Sequence, residues 1–157
     1  MKRLAPILAI LLAFCSAAPL FAQSEQDAIE LTRTVIEAKM KAIVAANMEL
    51  VEAESKAFWP VYNAYETEMR KVSDRRIRLI SDFARAFDNL TDTQAEAFLK
   101  ESFAIEKQRL DIRKKYLSKF NKVLSPKKVA RFFQIENKLQ AIVDYDVASE
   151  IPLVKAQ

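Results

Sequence analysis

Carboxylate pairs are the first groups in this 157-residue sequence whose spacing could support chemistry. Several pairs of acidic residues stand two positions apart, such as Glu52 and Glu54, Glu66 and Glu68, and Asp144 and Asp146. Residues two apart on a helix do not face each other, so the first two pairs cannot form one acid–base site. The third pair could bind a hard cation weakly, but no further ligand stands at a useful spacing. The acidic residues therefore predict neither a catalytic site nor a metal site.

The composition excludes several other kinds of site. The chain has no histidine and no glycine. Without histidine there is no Ser-His-Asp triad and no imidazole zinc site. Without glycine, phosphate-binding loops and EF-hand calcium loops are excluded, because both need a residue at positive φ. We therefore expect a binding protein without a cofactor rather than an enzyme.

Basic residues interleaved with aromatic ones are the strongest candidates for a binding surface. Residues 69–131 carry 17 cationic and 8 anionic side chains, whereas residues 23–68 carry 4 and 9. Long cationic side chains over apolar rows suit weak binding of many partners. The candidate client- or partner-binding residues are Arg70, Lys71, Arg75, Arg76, Arg78, Phe83, Arg109, Arg113, Lys114, Tyr116 and Phe120. The alternative is a solvated helical face whose charges pair within the chain.

The helical periodicity of the sequence indicates which helices carry these residues. The pattern predicts four helices, near 25–46, 51–88, 92–122 and 126–147, and an extended apolar tail from about 148. Pro60 either kinks the second helix or begins a new one. Three apolar stripes with spacings of three and four indicate coiled-coil-like seams. They are Phe58, Tyr62, Tyr65, Met69, Val72, Arg76, Leu79, Phe83, Ala86 and Leu90; Leu99, Phe103, Glu106, Leu110, Arg113, Leu117, Phe120 and Leu124; and Val129, Phe132, Ile135, Leu139 and Ile142.

Arg76 and Arg113 interrupt two of these stripes. Either their side chains reach outward to the edge of a packed seam, or the stripes face an open concave surface. A second helix of 38 residues would be about 57 Å long. A mature chain with such helices forms a thin layer, so a second copy covers one side or an apolar face stays open.

Residues 1–22 have the layout of a cleaved secretory signal peptide. Lys2 and Arg3 precede an apolar run from Leu4 to Phe14, and small residues follow before a cleavage site after Ala22. Cys15 offers a lipoprotein alternative, which bulky Phe14 disfavours. Because an exported protein rarely meets nucleic acid, we expect no nucleic-acid partner. The basic residues 69–131 are instead expected to attract acidic protein surfaces. Contact with a membrane surface is compatible with the charge but not required.

Two helix starts have recognisable caps. The sequence Leu90-Thr91-Asp92-Thr93-Gln94 predicts a capping box, and Ser125-Pro126 predicts an N-cap followed by proline at the first helical position. One spacing recurs three times, in Leu50-Glu54-Phe58, Leu90-Gln94-Phe98 and Leu124-Lys128-Phe132. Each copy fits a helix start, so we expect these motifs to build the fold rather than touch a ligand.

With these motifs the sequence resembles the Spy/CpxP family of bacterial periplasmic proteins. Leu90 to Gln94 matches the family's LTxxQ motif, and Leu124 to Lys128 is close to its LTPEQ form, with serine and lysine at two positions. The clean copy falls at the third helix, whereas the family's motifs open the second and fourth. The resemblance covers about residues 48–140.

The resemblance implies a thin four-helix, hairpin-like bundle that forms an antiparallel, cradle-shaped homodimer. It also implies an exported, ATP-independent chaperone that binds unfolded or partly folded clients on a basic, partly apolar face. The alternative is an envelope-stress accessory that docks on a sensor kinase. The family's metal-responsive branch uses histidine, which this chain lacks.

Overall fold

The computed structural model describes the backbone of residues 18–155 and the side chains of residues 30–155. Within this part the only regular secondary structure is helical. It contains α1 (Ala18–Asn47), α2 (Glu52–Ala86), a 3₁₀ turn (Phe87–Asn89), α3 (Asp92–Phe120) and α4 (Pro126–Glu150). The predicted signal sequence up to residue 17, including Cys15, lies outside the described residues. The predicted helices agree with α2, α3 and α4 to within three residues at either end.

Three expectations about helix ends need correction or resolution. Helix α1 begins at Ala18 rather than near residue 25. Helix α2 runs through Pro60 without interruption, so a fresh start at this residue is excluded. Helix α4 continues to Glu150, and the non-helical tail therefore begins at Ile151 rather than near 148.

The chain divides into two units after Ile43. The first unit contains helix α1 up to that residue. The second unit, from Val44 onward, contains the last turn of α1, helices α2 to α4 and the tail. Among residues 30–155, the buried apolar core lies in the second unit and comprises Val44, Met48, Phe58, Tyr62, Tyr65, Val72, Ile105, Ile112, Tyr116, Phe120, Leu124, Val129 and Phe132.

Helices α2 and α3 run antiparallel. Glu68 in the middle of α2 pairs with Lys115 near the end of α3, and Phe83 near the end of α2 contacts Phe98 near the start of α3. The first predicted stripe lies on the face of α2 that packs here, because each of its members is buried or half-buried. This stripe is therefore confirmed as a packing seam.

Aromatic rings hold α4 onto α2 and α3. The ring of Phe132 lies 4.5 Å from that of Phe120 and 5.6 Å from that of Phe58, measured between centroids. Tyr65 contacts the same ring at 5.8 Å. One aromatic cluster therefore joins three helices at the end where α4 begins.

The first and third copies of the repeat meet in space. Phe58 contacts Phe132, and the ammonium group of Lys128 pairs with the carboxylate of Glu54. Glu54 also accepts a hydrogen bond from the backbone N–H of Val51, at 3.0 Å. The lysine that departs from the LTxxQ pattern is thus an interhelical partner, and these copies have a structural role.

The end of α1 lacks the glycine that usually terminates a helix. Glu49 adopts a left-handed conformation instead, with φ of 50°. Arg131 donates a hydrogen bond to the carbonyl oxygen of Asn47 and another, at 2.6 Å, to the Glu49 carboxylate. Lys128 donates to the Glu49 carbonyl oxygen at 3.1 Å. Two cations from α4 therefore cap the negative end of this helix.

The capping box at α3 is confirmed, but the cap at α4 is not. Thr91 Oγ1 accepts a hydrogen bond from the N–H of Gln94 at 3.3 Å, and Gln94 Oε1 accepts one from the N–H of Thr91 at 3.0 Å. Ser125 occupies the N-cap position and Pro126 follows it as the first helical residue. The Ser125 hydroxyl, however, makes no capping hydrogen bond. Lys128 at the third helical position is directed to Glu54 instead.

This difference gives a paired stability prediction. Thr91→Ala will lower the free energy of unfolding by about 0.5–2 kcal/mol, because it strands a first-turn amide. Ser125→Ala will change it by less than about 0.5 kcal/mol, because no side-chain cap is lost. Urea denaturation followed by circular dichroism measures both. Equal losses from the two variants would contradict this account of the caps.

Candidate functional site

Four of the predicted binding arginines are engaged in ion pairs between helices. Arg75 on α2 donates to Glu101 at 2.7 Å and to Gln108 at 2.9 Å, both on α3. Arg76 on α2 donates to Asp144 on α4. Arg109 and Arg113 are directed from α3 toward α4. The alternative of intramolecular pairing therefore applies to these four, and they do not form an open basic face.

The contacts of Arg109 and Arg113 lie in the seam between α3 and α4. The guanidinium group of Arg109 is 3.6 Å from Asp144. That of Arg113 is 3.1 Å from Glu136, donates to Asn137 at 2.5 Å and lies over the ring of Phe133. Glu136 also accepts a hydrogen bond from the hydroxyl of Tyr65 at 3.0 Å. The arginine that interrupts the α3 stripe thus reaches sideways to α4.

The aromatic candidates are also placed differently from the expectation. Tyr116 and Phe120 are buried in the core, where they contact Tyr65, and this corrects their assignment to an open surface. Phe83 is half-buried between Phe87 and Phe98. Of the remaining candidates, Arg70 is half-buried, and three cations are exposed: Lys71, Arg78 and Lys114.

Helix α3 carries an exposed apolar row, formed by members of the second predicted stripe. Leu99, Phe103, Leu110 and Leu117 expose 58, 70, 47 and 43% of their surface. Their spacings of four and seven place them on one side of the helix. The buried residues of α3 lie on another side. We call these four side chains the α3 row.

Lysines stand between the members of the α3 row. Lys107 is four residues after Phe103 and three before Leu110, and Lys114 is four residues after Leu110 and three before Leu117. Both lysines are exposed. Lys107 pairs with Asp111 at 2.5 Å on the same helix. Such exposed pairs contribute little to stability, so the lysine can change partner without a large energetic loss.

An open groove of about 390 Å³ adjoins this side of α3. The groove is lined by Arg75, Ala104, Lys107, Gln108, Asp111, Ile112 and Lys115. Lys107 belongs to both the groove and the border of the α3 row. The α3 row and this groove therefore lie next to each other on the surface.

Other kinds of site find little support among the described residues. No group of three or more histidine, cysteine, aspartate or glutamate side chains within residues 30–155 could hold a metal ion. Of the two acidic residues considered for a cation, Asp144 and Asp146, the first lies beside two arginines. Among the helices described, none combines the length and apolarity needed to cross a bilayer.

Buried and paired groups shift several pKa values. Hydrogen bonds from Lys115 and Tyr116 hold the pKa of Glu68 below its ordinary value. Arg75 does the same for Glu101. For Asp144, burial raises the pKa, but Arg76 and Gln140 outweigh that effect and the net shift is downward. Burial and the hydrogen bond to Glu68 raise the pKa of Tyr116 to about 12.

These shifts predict how stability depends on pH. A carboxylate with a lowered folded pKa stabilises the protein above its unfolded pKa, about 4, and this contribution is lost as pH falls through the folded pKa. The raised pKa of Tyr116 has the opposite sign, so its contribution is lost as pH rises above about 10. The melting temperature will stay level between about pH 5 and pH 8, because the chain has no histidine.

Thermal melts from acid to alkaline pH check this expectation. At neutral pH, the Glu68→Gln variant should melt at a lower temperature than wild type. In strong acid the two proteins should melt at similar temperatures, because the wild-type carboxylate is then protonated and uncharged too. A change of several degrees in melting temperature between about pH 5 and pH 8 would contradict this expectation, because a titrating group other than these carboxylates and Tyr116 would then control stability.

Comparison of the chain with protein-family models, with curated proteins and with solved structures gives no match. The resemblance to the Spy/CpxP family therefore rests on the quoted motifs alone.

The sequence contains a signal that could have revealed the α3 row. Helix α3 carries two apolar sets, of which Ile105, Ile112, Tyr116 and Phe120 form the buried one. The neighbouring helices cover one side of α3 only. The second apolar set, the α3 row, is therefore not needed for packing against these helices. It marks the side of α3 that they leave uncovered.

Proposed function

We propose that this protein is an exported, ATP-independent chaperone that binds unfolded or partly folded proteins on the α3 row. The observation that carries the proposal is the exposure of four large apolar side chains in one line on a helix whose other side is already packed. A contiguous exposed apolar patch is typical of an interaction site. The surface proposed is thus the outer side of α3 and not the arginine cluster expected from the sequence.

The chemistry of the α3 row suits unfolded clients. Apolar side chains bind the apolar segments that an unfolded chain exposes, and their contribution is not directional. The bordering Lys107 and Lys114 attract acidic segments, and their flexible stems adapt to different sequences. Contacts of this kind bind many sequences weakly, without a catalytic residue or a nucleotide. We therefore propose a binding protein and not an enzyme.

The predicted signal sequence and the LTxxQ resemblance suggest where the protein would act and in which oligomeric state. Residues 1–22 would direct the chain to the periplasm and then be removed. The resemblance would make the protein an antiparallel, cradle-shaped homodimer. The capping box at Thr91 and Gln94 supports the motif assignment, because it is formed as that motif requires.

Suppression of aggregation tests the proposal. Mature protein of residues 23–157 is mixed, without nucleotide, with several unrelated proteins diluted from denaturant, and light scattering is followed. We expect protection of most clients at near-stoichiometric amounts. Protection of none, with tight binding to a single envelope sensor, would favour the alternative of a signalling accessory.

The homodimer is a separate expectation. Sedimentation of the mature protein at micromolar concentration should give twice the monomer mass, because long helices in a thin layer leave apolar surface for a second copy. A clean monomer with full helicity would exclude the dimer and leave the chaperone proposal standing, because the α3 row belongs to one chain.

A further inference from the structure

Three members of the α3 row recur at intervals of seven residues: Phe103, Leu110 and Leu117. Leu99 precedes Phe103 by four residues, so the row begins with the spacing of a coiled-coil seam. Seven residues span about 10.5 Å along a helix. A second helix with the same repeat places its own apolar side chains at matching intervals. The α3 row therefore has the geometry of one side of a helix–helix contact.

The two borders of the α3 row carry different charges. On one border, three lysines recur at the same interval of seven residues, and all three are exposed: Lys100, Lys107 and Lys114. On the other border Glu106 is exposed, and Arg113 is directed toward α4. A helix that docks along the row therefore meets a line of lysines on one side only.

Two of these lysines already pair with carboxylates of the same helix. The Nζ atom of Lys100 lies 2.6 Å from a carboxylate oxygen of Glu96, and that of Lys107 lies 2.5 Å from one of Asp111. The lysine side chains in these pairs are 73 and 76% exposed, and exposed pairs one turn apart contribute little to stability. The border thus has three lysines for two carboxylates, and the lysines can exchange these partners for carboxylates of a docked helix.

The charge of the lysine border disfavours a second copy of α3 as the occupant of the row. When two identical helices pair in antiparallel orientation, the same border of each helix lies next to that of the other. Lys100, Lys107 and Lys114 would then face the corresponding lysines of the second copy, and like charges repel. Acidic residues in the same positions of a different helix are attracted instead. The row is therefore better matched to an acidic helix than to itself.

We propose that the α3 row binds client segments as amphipathic helices, with apolar residues repeated every seven positions and acidic residues on the side that faces the lysines. The inference rests on the proposed function, because it names the clients of the same surface. It goes further by stating their bound conformation. A segment that is unstructured in solution becomes helical as its apolar side chains enter the gaps between Phe103, Leu110 and Leu117.

A fluorescein-labelled peptide of three heptads is the probe. It carries leucine at the first and fourth position of each heptad and glutamate at the positions beside them, and repulsion between its own glutamates keeps it monomeric. The control peptide has the same composition in an order that distributes the leucines around the helix. Anisotropy should show at least about tenfold tighter binding of the heptad peptide, because several large apolar side chains are buried together only in that order. Circular dichroism of the mixture should show more helix than the sum of the separate spectra.

Lys107→Glu combined with Lys114→Glu tests the lysine border. This double variant should bind the glutamate peptide at least about fivefold more weakly than wild type, and it should prefer a peptide with lysine in place of glutamate. Lys127→Glu combined with Lys138→Glu is the matched control, because it reverses two exposed lysines of α4. Its affinity for the glutamate peptide should stay close to that of wild type.

Equal binding of the heptad and control peptides, or binding without a gain of helix, would overturn the inference and leave the chaperone proposal to the aggregation assay. Equal affinities of the two lysine variants would overturn it as well. Loss of peptide binding as the protein concentration rises would show that a second copy occupies the row, against the inference. If the heptad peptide binds as expected but no client is protected from aggregation, the chaperone proposal fails and the helical mode of binding stands.

Discussion

Phe132→Ala will lower the free energy of unfolding by about 3–5 kcal/mol, which is a large part of the total for a domain of this size. The side chain is completely buried and contacts the rings of Phe58, Tyr65 and Phe120 from three helices. Its removal leaves a cavity that rings anchored on separate helices cannot fill by small movements. Urea denaturation followed by circular dichroism measures the effect.

Phe103→Ala is the matched control, because it deletes the same side chain where 70% of the surface is exposed. We expect this change to alter the free energy of unfolding by less than about 0.5 kcal/mol. Similar losses from both variants would mean that the α3 row is packed in solution and would remove the basis for a binding surface there.

The second large effect concerns binding. Phe103→Gln combined with Leu110→Gln should weaken the binding of unfolded clients at least about tenfold. Burial of one large apolar side chain contributes about 1.5–3 kcal/mol, and about 1.4 kcal/mol is a tenfold change in affinity. Fluorescence anisotropy with a labelled, permanently unfolded client measures the loss. Added salt near 0.15 M should weaken binding by wild type only in part, because screening affects the lysines and not the apolar contacts.

Ile142→Gln combined with Tyr145→Gln is the control for this pair. These residues of α4 are similarly exposed, at 60 and 76%, but are not part of the α3 row. We expect little change in client affinity. If both double variants lose affinity equally, binding follows general surface apolarity and the α3 row has no special role.

The helices were predictable because their signals are local. Periodicity located α2, α3 and α4, and the capping box at Thr91 located the start of α3. The aromatic stripe of α2 packs as its spacing predicts, because Phe58, Tyr62 and Tyr65 are all buried.

The candidate site was less predictable because it depends on which residues of other helices come close. Arg76 and Asp144 are 68 residues apart, and nothing in their local sequence indicates that they pair. The charge of residues 69–131 suggested a basic surface, yet acidic residues from α3 and α4 neutralise much of it. The same limit applies to Ser125, which has the right residue type for a cap but makes no capping hydrogen bond.

Photocrosslinking from the centre of the α3 row tests the central proposal most directly. A photoreactive amino acid replaces Leu110 in one sample and Ile142 in a control, and each protein is irradiated with several unrelated clients, folded or freshly diluted from denaturant. We predict crosslinks from position 110 to the unfolded clients and not to the same clients when folded, with few from position 142. Crosslinks from position 110 only to a second copy of the chain, or to no client at all, would contradict the proposal that the α3 row binds unfolded proteins.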